Sequence, residues 1–310
     1  MNLVSVIVPL LNEEVIVKEI SLRLRKTLIQ IPNIEYEVIF IDDGSTDKTW
    51  KMIEKECSEY ETIKGIKLSR NFGHHYAITS GMFKASGDWV VVMDGDLQDR
   101  PEVIPRLFEE AQRGFDIVFV SRLNRNDNKL YLLFQKLFYK ILKHLSGVNL
   151  DPTQANFSII SRKVVDSFKN FPEKSRYYAT TINWLGFSKS QISAEHGERF
   201  GGNPSYTLAK RINLALDIIL AFSIRPLKVA IILGVILSFI SIVFGSSIVV
   251  NAYFGGLDLI GIPTLITTLL FSTGIVLVFL GILGVYLGKV FEEVKNRPLY
   301  IIDTEINFLN

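Results

Sequence analysis

The sequence predicts an α/β protein, with a Rossmann-like, mostly parallel, doubly wound sheet followed by helices suited to a lipid bilayer. Three observations predict it. Short apolar, β-branched runs alternate with helical stretches from residue 4 to residue 120, the pattern of parallel strands joined by crossover helices. Polar and acidic residues gather where each of those strands should end, the edge that carries the ligand crevice in an open parallel sheet. The last third then turns sharply apolar and contains two long uncharged stretches.

Taken in order, Val4 to Val8 (VSVIV) reads as a first buried strand closed by Pro9, with Asn12-Glu13-Glu14 after it and a helix running to about Ile29. It is not a signal peptide, because the run is too short and no basic residue precedes it. A second strand, Tyr36 to Ile41, ends in Asp42-Asp43-Gly44-Ser45-Thr46-Asp47, an acidic turn opening a helix with Ser45 or Thr46 as its expected N-cap. A third, Ile63 to Leu68, ends in Ser69-Arg70-Asn71-Phe72-Gly73 and leads into a helix reaching about Ala85. His74 and His75 follow that strand end directly, where they could face a phosphate.

Next comes Trp89 to Asp99, WVVVMDGDLQD, around which the chain is organised. Val90 to Val92 is a buried strand, and Asp94 and Asp96 stand where it stops. Side chains two apart on a strand point the same way, so two carboxylates can share one hard cation. Such a cation keeps coordination positions free for substrate phosphates. A helix over Pro101 to Arg113 and a strand over Asp116 to Val120 complete the alternation.

The segments VSVIVPLLNEE, VIFIDDGSTDKT, LSRNFGHHYA and VVMDGDLQD stand in the order and spacing found in family 2 glycosyltransferases with a GT-A fold. Within them the chain resembles the polyprenyl-phosphate glycosyltransferases, the group containing dolichyl-phosphate mannose synthase and bacterial undecaprenyl-phosphate sugar transferases. The resemblance implies that Pro9, Asn12, Glu13, Asp42, Asp43 and Arg70 line the nucleotide site. It implies that Asp94 and Asp96 hold Mg²⁺ or Mn²⁺ against a diphosphate, and that Gln98 lies at the sugar. Asp42 and Asp47 could equally cap the following helix.

Two positions depart from that pattern. TQANFSIISRKVV, Thr153 to Val165, aligns with a segment in which the family often carries an Asp proposed as catalytic base. Here that position is Asn156, and an amide takes up no proton at neutral pH. A lipid monophosphate softens the problem, since it is already largely ionised, with a second pKa of about 6. In EHGERFGGNPSY, Arg199 and the Gly201-Gly202 turn resemble the family loop that closes over a phosphate, with Ser205 as a further acceptor-phosphate contact. The Lys that often follows that Ser is Tyr206 here.

The remaining segments concern the membrane. Lys129 to Leu145 is rich in Leu, Phe and Tyr, with Lys136, Lys140 and Lys143 on one helical face, and suits interfacial docking. A second amphipathic, juxtamembrane helix is expected over 206–226. Val229 to Val250 and Leu259 to Gly288 are uncharged throughout and exceed the roughly 20 residues that span a bilayer. Arg225 and Lys228 precede the first, Lys289, Lys295 and Arg297 follow the second, and no cation lies between. The positive-inside rule then puts the catalytic domain and both termini in the cytoplasm. The expected organisation is a glycosyltransferase domain over 1–205, the juxtamembrane helix, two transmembrane helices over 227–288, and a cytoplasmic tail over 289–310.

A net charge of +2 with no basic block excludes nucleic acid as a partner, and the single cysteine, Cys57, excludes an intrachain disulfide. The expected protein is an integral membrane enzyme of a bacterial inner membrane. It transfers a hexose or pentose, with inversion, from a nucleotide-sugar donor (UDP-linked by preference) to a polyprenyl phosphate such as undecaprenyl phosphate, for cell-envelope glycan or lipid modification. Two alternatives stand beside it: a processive polysaccharide synthase, and a catalytically silent nucleotide-sugar-binding scaffold. The sugar, the lipid length and whether the chain works as a homo-oligomer stay open.

Overall fold

A computed structural model describes residues 2–123, 154–174, 176–195, 225–254 and 262–308. The chain divides into two compact units: the sheet with its helices, including the C-terminal residues from Arg297, and a helical unit made mainly of residues 208–296.

The first unit is built on β1 (Asn2–Leu10), β2 (Ile34–Asp42), β3 (Ile63–Leu68), β4 (Trp89–Val92), β5 (Ile117–Leu123), β6 (Gln154–Ser161), β7 (Lys189–Glu195) and β8 (Ile302–Ile306). They form one sheet in the order β7-β5-β6-β4-β1-β2-β3-β8. The pairs β1–β2, β1–β4, β2–β3 and β5–β7 are parallel, whereas β6 runs antiparallel to β4 and β5, and β8 antiparallel to β3. The sheet is therefore mostly parallel, as expected. The antiparallel β6 reaches the ligand edge with its first residues, not its last.

Both faces of the sheet are covered at its centre, which is why β1, the end of β2 and β4 read as apolar runs. Val4, Val6, Val8, Leu10, Val38 and Phe40 point to one side, where α1 (Val17–Leu28), α2 (Thr49–Glu59) and α4 (Ile104–Gln112, entered through the 3-10 turn Pro101–Val103) pack. Ile7, Ile39, Ile41, Ile66 and Leu68 point to the other, against α3 (His74–Lys84), α5 (Arg162–Lys169) and α6 (Tyr178–Trp184). Alternation along each strand sends neighbouring residues into these two cores. Cys57 is buried in the first, and burial pushes its thiol up to about 12, so it is a packing residue.

Within 289–310, read from the sequence as a cytoplasmic tail, Ile302–Ile306 supplies the edge strand β8. Its seat is specific. Ser69 N–H donates to Ile301 O (3.0 Å), Asn307 Nδ2 donates to Cys57 O and Ile63 O (2.7 and 2.8 Å), and Lys84 pairs with Glu305 (2.7 Å).

The second unit contains α7 (Arg225–Tyr253) and α8 (Ile262–Val294), of 29 and 33 residues. Among the described residues one helical stretch, Thr268–Val294, is long and apolar enough to cross a membrane; Ala230–Val243 is a shorter apolar stretch. Leu269, Leu270, Phe271, Leu277, Val278 and Leu287 on α8 are all exposed. The expected interfacial helices over Lys129–Leu145 and 206–226 fall outside the described residues, apart from Arg225 and Pro226 at the start of α7.

Candidate active site

Because β1 to β4 run in parallel, their C-terminal ends share one rim. That rim gathers Pro9 to Glu13, Asp42 to Asp47, Ser69 to Gly73 and Met93 to Asp99. β6 enters it from the opposite direction. Val92 pairs with Ser158, so two further residues along this register bring Asp94 opposite Asn156.

The β1 and β2 ends are knitted together. Asn12, in a left-handed conformation (φ 57°), accepts from Thr46 N–H through Oδ1 (2.8 Å), while its own N–H donates to Ser45 Oγ (2.9 Å). Glu13 N–H donates to Thr49 Oγ1 (2.8 Å), and Glu14 N–H to Asp47 Oδ2 (3.2 Å). Ser45 and Thr46 therefore hold Asn12 and do not cap α2. Asp47 does the local turn work instead, accepting from Thr49 N–H and Thr49 Oγ1 (2.9 and 2.6 Å).

Asp42 and Asp43 are both buried but differently engaged. Asp43 accepts from Phe72 N–H through Oδ1 (2.8 Å) and from Gly73 N–H through Oδ2 (3.0 Å), fastening the start of α3 to the end of β2. Burial raises its pKa more than those two amides lower it. Asp42 accepts from Ser45 N–H through Oδ1 (3.0 Å), and its buried Oδ2 has no hydrogen-bond partner. Gly44 (φ 71°) makes this approach feasible, since a Cβ there would lie 2.4 Å from the backbone at Arg70 and Asn71. Arg70 folds over its own loop, with Nη1 donating to Asn71 O (3.0 Å) and the guanidinium 4.1 Å from the Phe72 ring centre.

The β4 end is a tight turn. Asp94 N–H donates to Asp99 Oδ2 (3.2 Å), Gln98 N–H donates to Asp96 Oδ1 (3.1 Å), and Leu97 is left-handed (φ 61°). Gly95 lies against β1, where an added Cβ would sit 2.5 Å from Leu10 Cδ2 and 2.9 Å from Pro9 O. The part-exposed His74 lies 3.2 Å from Asp94 Oδ1 through Nε2, and the same nitrogen is 3.3 Å from Asn156 Nδ2. Burial works to lower the His74 pKa, but Asp94, with Asp43 and Asp96 behind it, outweighs this and raises it. His75 behaves oppositely. Burial, with His74 beside it, lowers its pKa to about 3, and its Nδ1 accepts Tyr178 N–H (3.3 Å).

Among the described residues no group of three or more His, Cys, Asp or Glu forms a complete metal cage. Two hard carboxylates on one turn still fit a hard divalent cation that completes its shell with substrate oxygens. Arg199 and Ser205 lie outside the described residues. The rim thus brings together Asn12, Asp42, Asp43, Arg70, Asp94, Asp96 and Asn156. His74 is the link between Asp94 and Asn156 that sequence reading placed only near a phosphate; its position after a strand end was the available signal. Tyr178 and Ser158 gave none.

An open, mostly parallel α/β sheet with a D-x-D turn at a central strand end is a GT-A-like fold, and the enzyme class is glycosyltransferase. The chain belongs to Glycosyl transferase family 2, whose family model matches residues 5–169. It is 36% identical over 299 residues to an uncharacterized glycosyltransferase of Synechocystis sp., covering 96% of this chain and 94% of that one. It is 34% identical over 300 residues to the SfII prophage-derived bactoprenol glucosyl transferase of Shigella flexneri, covering 96% and 97%. Among solved structures, glucosyl-3-phosphoglycerate synthase from Mycobacterium tuberculosis superposes with a TM-score of 0.47 at 16% identity, over 71% of this chain and 78% of that one.

Proposed function

We propose that this glycosyltransferase moves a sugar from a nucleotide-sugar donor, UDP-linked by preference, to the phosphate of a polyprenyl lipid, with inversion at the anomeric carbon. The observation that carries the reading is the end-to-end similarity to bactoprenol glucosyl transferases, which takes in the C-terminal helices as well as the sheet.

The rim supports the donor half. Asp42 Oδ2, buried without a hydrogen-bond partner, suits a ligand that brings its own donor, such as a uracil N–H or a ribose hydroxyl. Asp94 and Asp96 would hold Mg²⁺ or Mn²⁺, which when bound supplies positive charge against the departing diphosphate. Asn12 and Glu13 shape the nucleotide side of the rim, Gln98 the sugar side, and Arg199 and Ser205 the acceptor phosphate. Asn156 positions the acceptor and takes no proton, and an ionised lipid phosphate needs none removed.

The acceptor accounts for the membrane anchoring. Its phosphate lies at headgroup level, so an enzyme using it gains from being tied to the bilayer surface. A two-helix hairpin with both ends on one side is supported by β8, and the cations flanking its outer ends favour the cytoplasmic side. The residues after α8 pair with β3, which favours an even number of crossings in the chain between the sheet and β8. Two crossings match the two apolar stretches.

The experiment is transfer by membranes carrying the protein, using a panel of radiolabelled nucleotide sugars with undecaprenyl phosphate. One donor should give a chloroform-soluble, acid-labile glycolipid. No lipid product from any donor, with nucleotide binding retained, would sink the reading.

A further inference from the structure

The two adjacent histidines at the start of α3 belong to one closed circuit of contacts. His74 Nε2 touches Asp94 Oδ1 and Asn156 Nδ2 (3.2 and 3.3 Å). One peptide bond later, His75 Nδ1 accepts Tyr178 N–H (3.3 Å). The fully buried Tyr178 is joined through its hydroxyl to Ser158 Oγ (2.8 Å), and Ser158 Oγ donates to Asn156 O (2.8 Å). The Ser158 proton is committed to Asn156, so the Tyr178 hydroxyl is the donor in their bond. The circuit returns to Asn156, having tied β4, α3, α6 and β6 together.

We propose that His74 is a positioning residue that sets the Asp94 carboxylate and the Asn156 amide relative to each other, and that His75 has the separate task of locking α3 to α6. The proposal rests on the reading that Asp94 holds the divalent cation. A carboxylate ligand held by a fixed outer neighbour binds a cation in one orientation, and loss of such a neighbour commonly costs 10–100-fold in affinity or activity. One imidazole nitrogen carries either one hydrogen or one lone pair, so it cannot serve both neighbours equally. With Nε2–H directed at Asp94, that nitrogen presents no lone pair to Asn156, so the Asn156 Nδ2 hydrogens are left to donate to a bound anion. His75 touches neither carboxylate. Its accepting Nδ1 fixes the first turn of α6, and a T-shaped contact with Tyr177 (5.3 Å between ring centres) secures the ring.

The test uses the full-length protein in detergent. Mn²⁺ affinity is measured by electron paramagnetic resonance in the presence of UDP, without acceptor, and kcat and KM are measured separately. His74→Ala should weaken Mn²⁺ binding by about 10–100-fold and lower kcat. His74→Gln keeps a donor without the imidazole ring, and should recover most of both. His75→Ala should lower the melting temperature while Mn²⁺ affinity stays at the wild-type value. If His74→Ala does not fold, His74→Leu, matched in bulk and without a donor, carries the same comparison against His74→Gln. Wild-type Mn²⁺ affinity and kcat in a folded His74→Ala or His74→Leu protein overturn the proposal. A wild-type enzyme that turns over without binding Mn²⁺ overturns the metal assignment beneath it, a failure visible before any variant is made.

Discussion

The amide of Gly73 donates to Asp43 Oδ2 at 3.0 Å, so the residue that starts α3 is held by the end of β2. Gly73 itself has φ 108° and ψ 150°, a conformation open essentially to glycine alone. Gly73→Ala should therefore strain the backbone by about 1–3 kcal/mol and displace His74, although nothing lies within 4 Å of the added carbon. Asp43→Asn sets an NH₂ group against one of the two amides and should also loosen this junction. Both variants should lose UDP affinity in calorimetry, and wild-type affinity in both would show that the junction does not shape the site.

The metal assignment makes a direct demand. Asp96→Asn, and equally EDTA, should reduce turnover by about two orders of magnitude or more, with Mg²⁺ or Mn²⁺ restoring the EDTA-treated wild type. Full activity in either condition removes the cation from the Asp94–Asp96 turn.

Asn156→Ala should lower kcat by roughly tenfold with donor affinity intact, because positioning is lost and no proton transfer is. Asn156→Asp restores the residue usual in the family but sets a second carboxylate on the His74 nitrogen already facing Asp94. Its transfer rate should stay below wild type. Complete loss of turnover in Asn156→Ala, with both substrates still bound, would mean that Asn156 takes part in the chemistry itself.

Glu37 offers a pH test away from the site. Burial works against its ionisation, but Lys64 (2.6 Å), Ser5 Oγ and the Ser86 amide overcome it and hold its pKa below the usual glutamate value. A carboxylate with a lowered folded-state pKa contributes stability that is full above its unfolded pKa and is lost as pH falls through the folded value. Glu37→Gln should cost about 3–5 kcal/mol at neutral pH. It should also flatten the loss of melting temperature in the acid range just below the ordinary glutamate pKa. An unchanged acid limb would place that sensitivity elsewhere.

Reporters test the hairpin. One fused after Asn310 should read as cytoplasmic and one inserted at Gly255-Gly256 as external. The same side for both would rule out two crossings.

Much of the sheet was legible because β1, β2 and β4 carry apolar runs and stop at polar turns; β3, IKGIKL, alternates instead, and its bounds Ile63–Leu68 still read off the sequence residue for residue. The rim was legible for the same reason, as parallel strand ends must share an edge. β8 was not. IDTEI is short, half polar and follows two membrane-type stretches, so nothing local marks it as a sheet edge. The insertion of β6 between β4 and β5 was equally hidden, because pairing partners distant in sequence leave no periodic trace. Asn156 was found by likeness to a motif, but its contact with His74 depends on register across β4 and β6. The acidic turn misled in one detail: Ser45 and Thr46 look like caps, and their preferred partner, Asn12, is more than thirty residues away.

The seat of β8 also orders the life of the molecule in time. A ribosome delivers β3 early, leaves its outer edge open while α7 and α8 are made, and supplies the covering strand only after them. During that interval the sheet exposes unpaired backbone groups beside Lys67 and Lys84, the partners awaiting Asp303 and Glu305. An enzyme made this way completes its catalytic unit only after its hydrophobic helices have left the ribosome. Chains stalled or truncated before Ile302 should accordingly meet chaperones and proteases with an unfinished sheet.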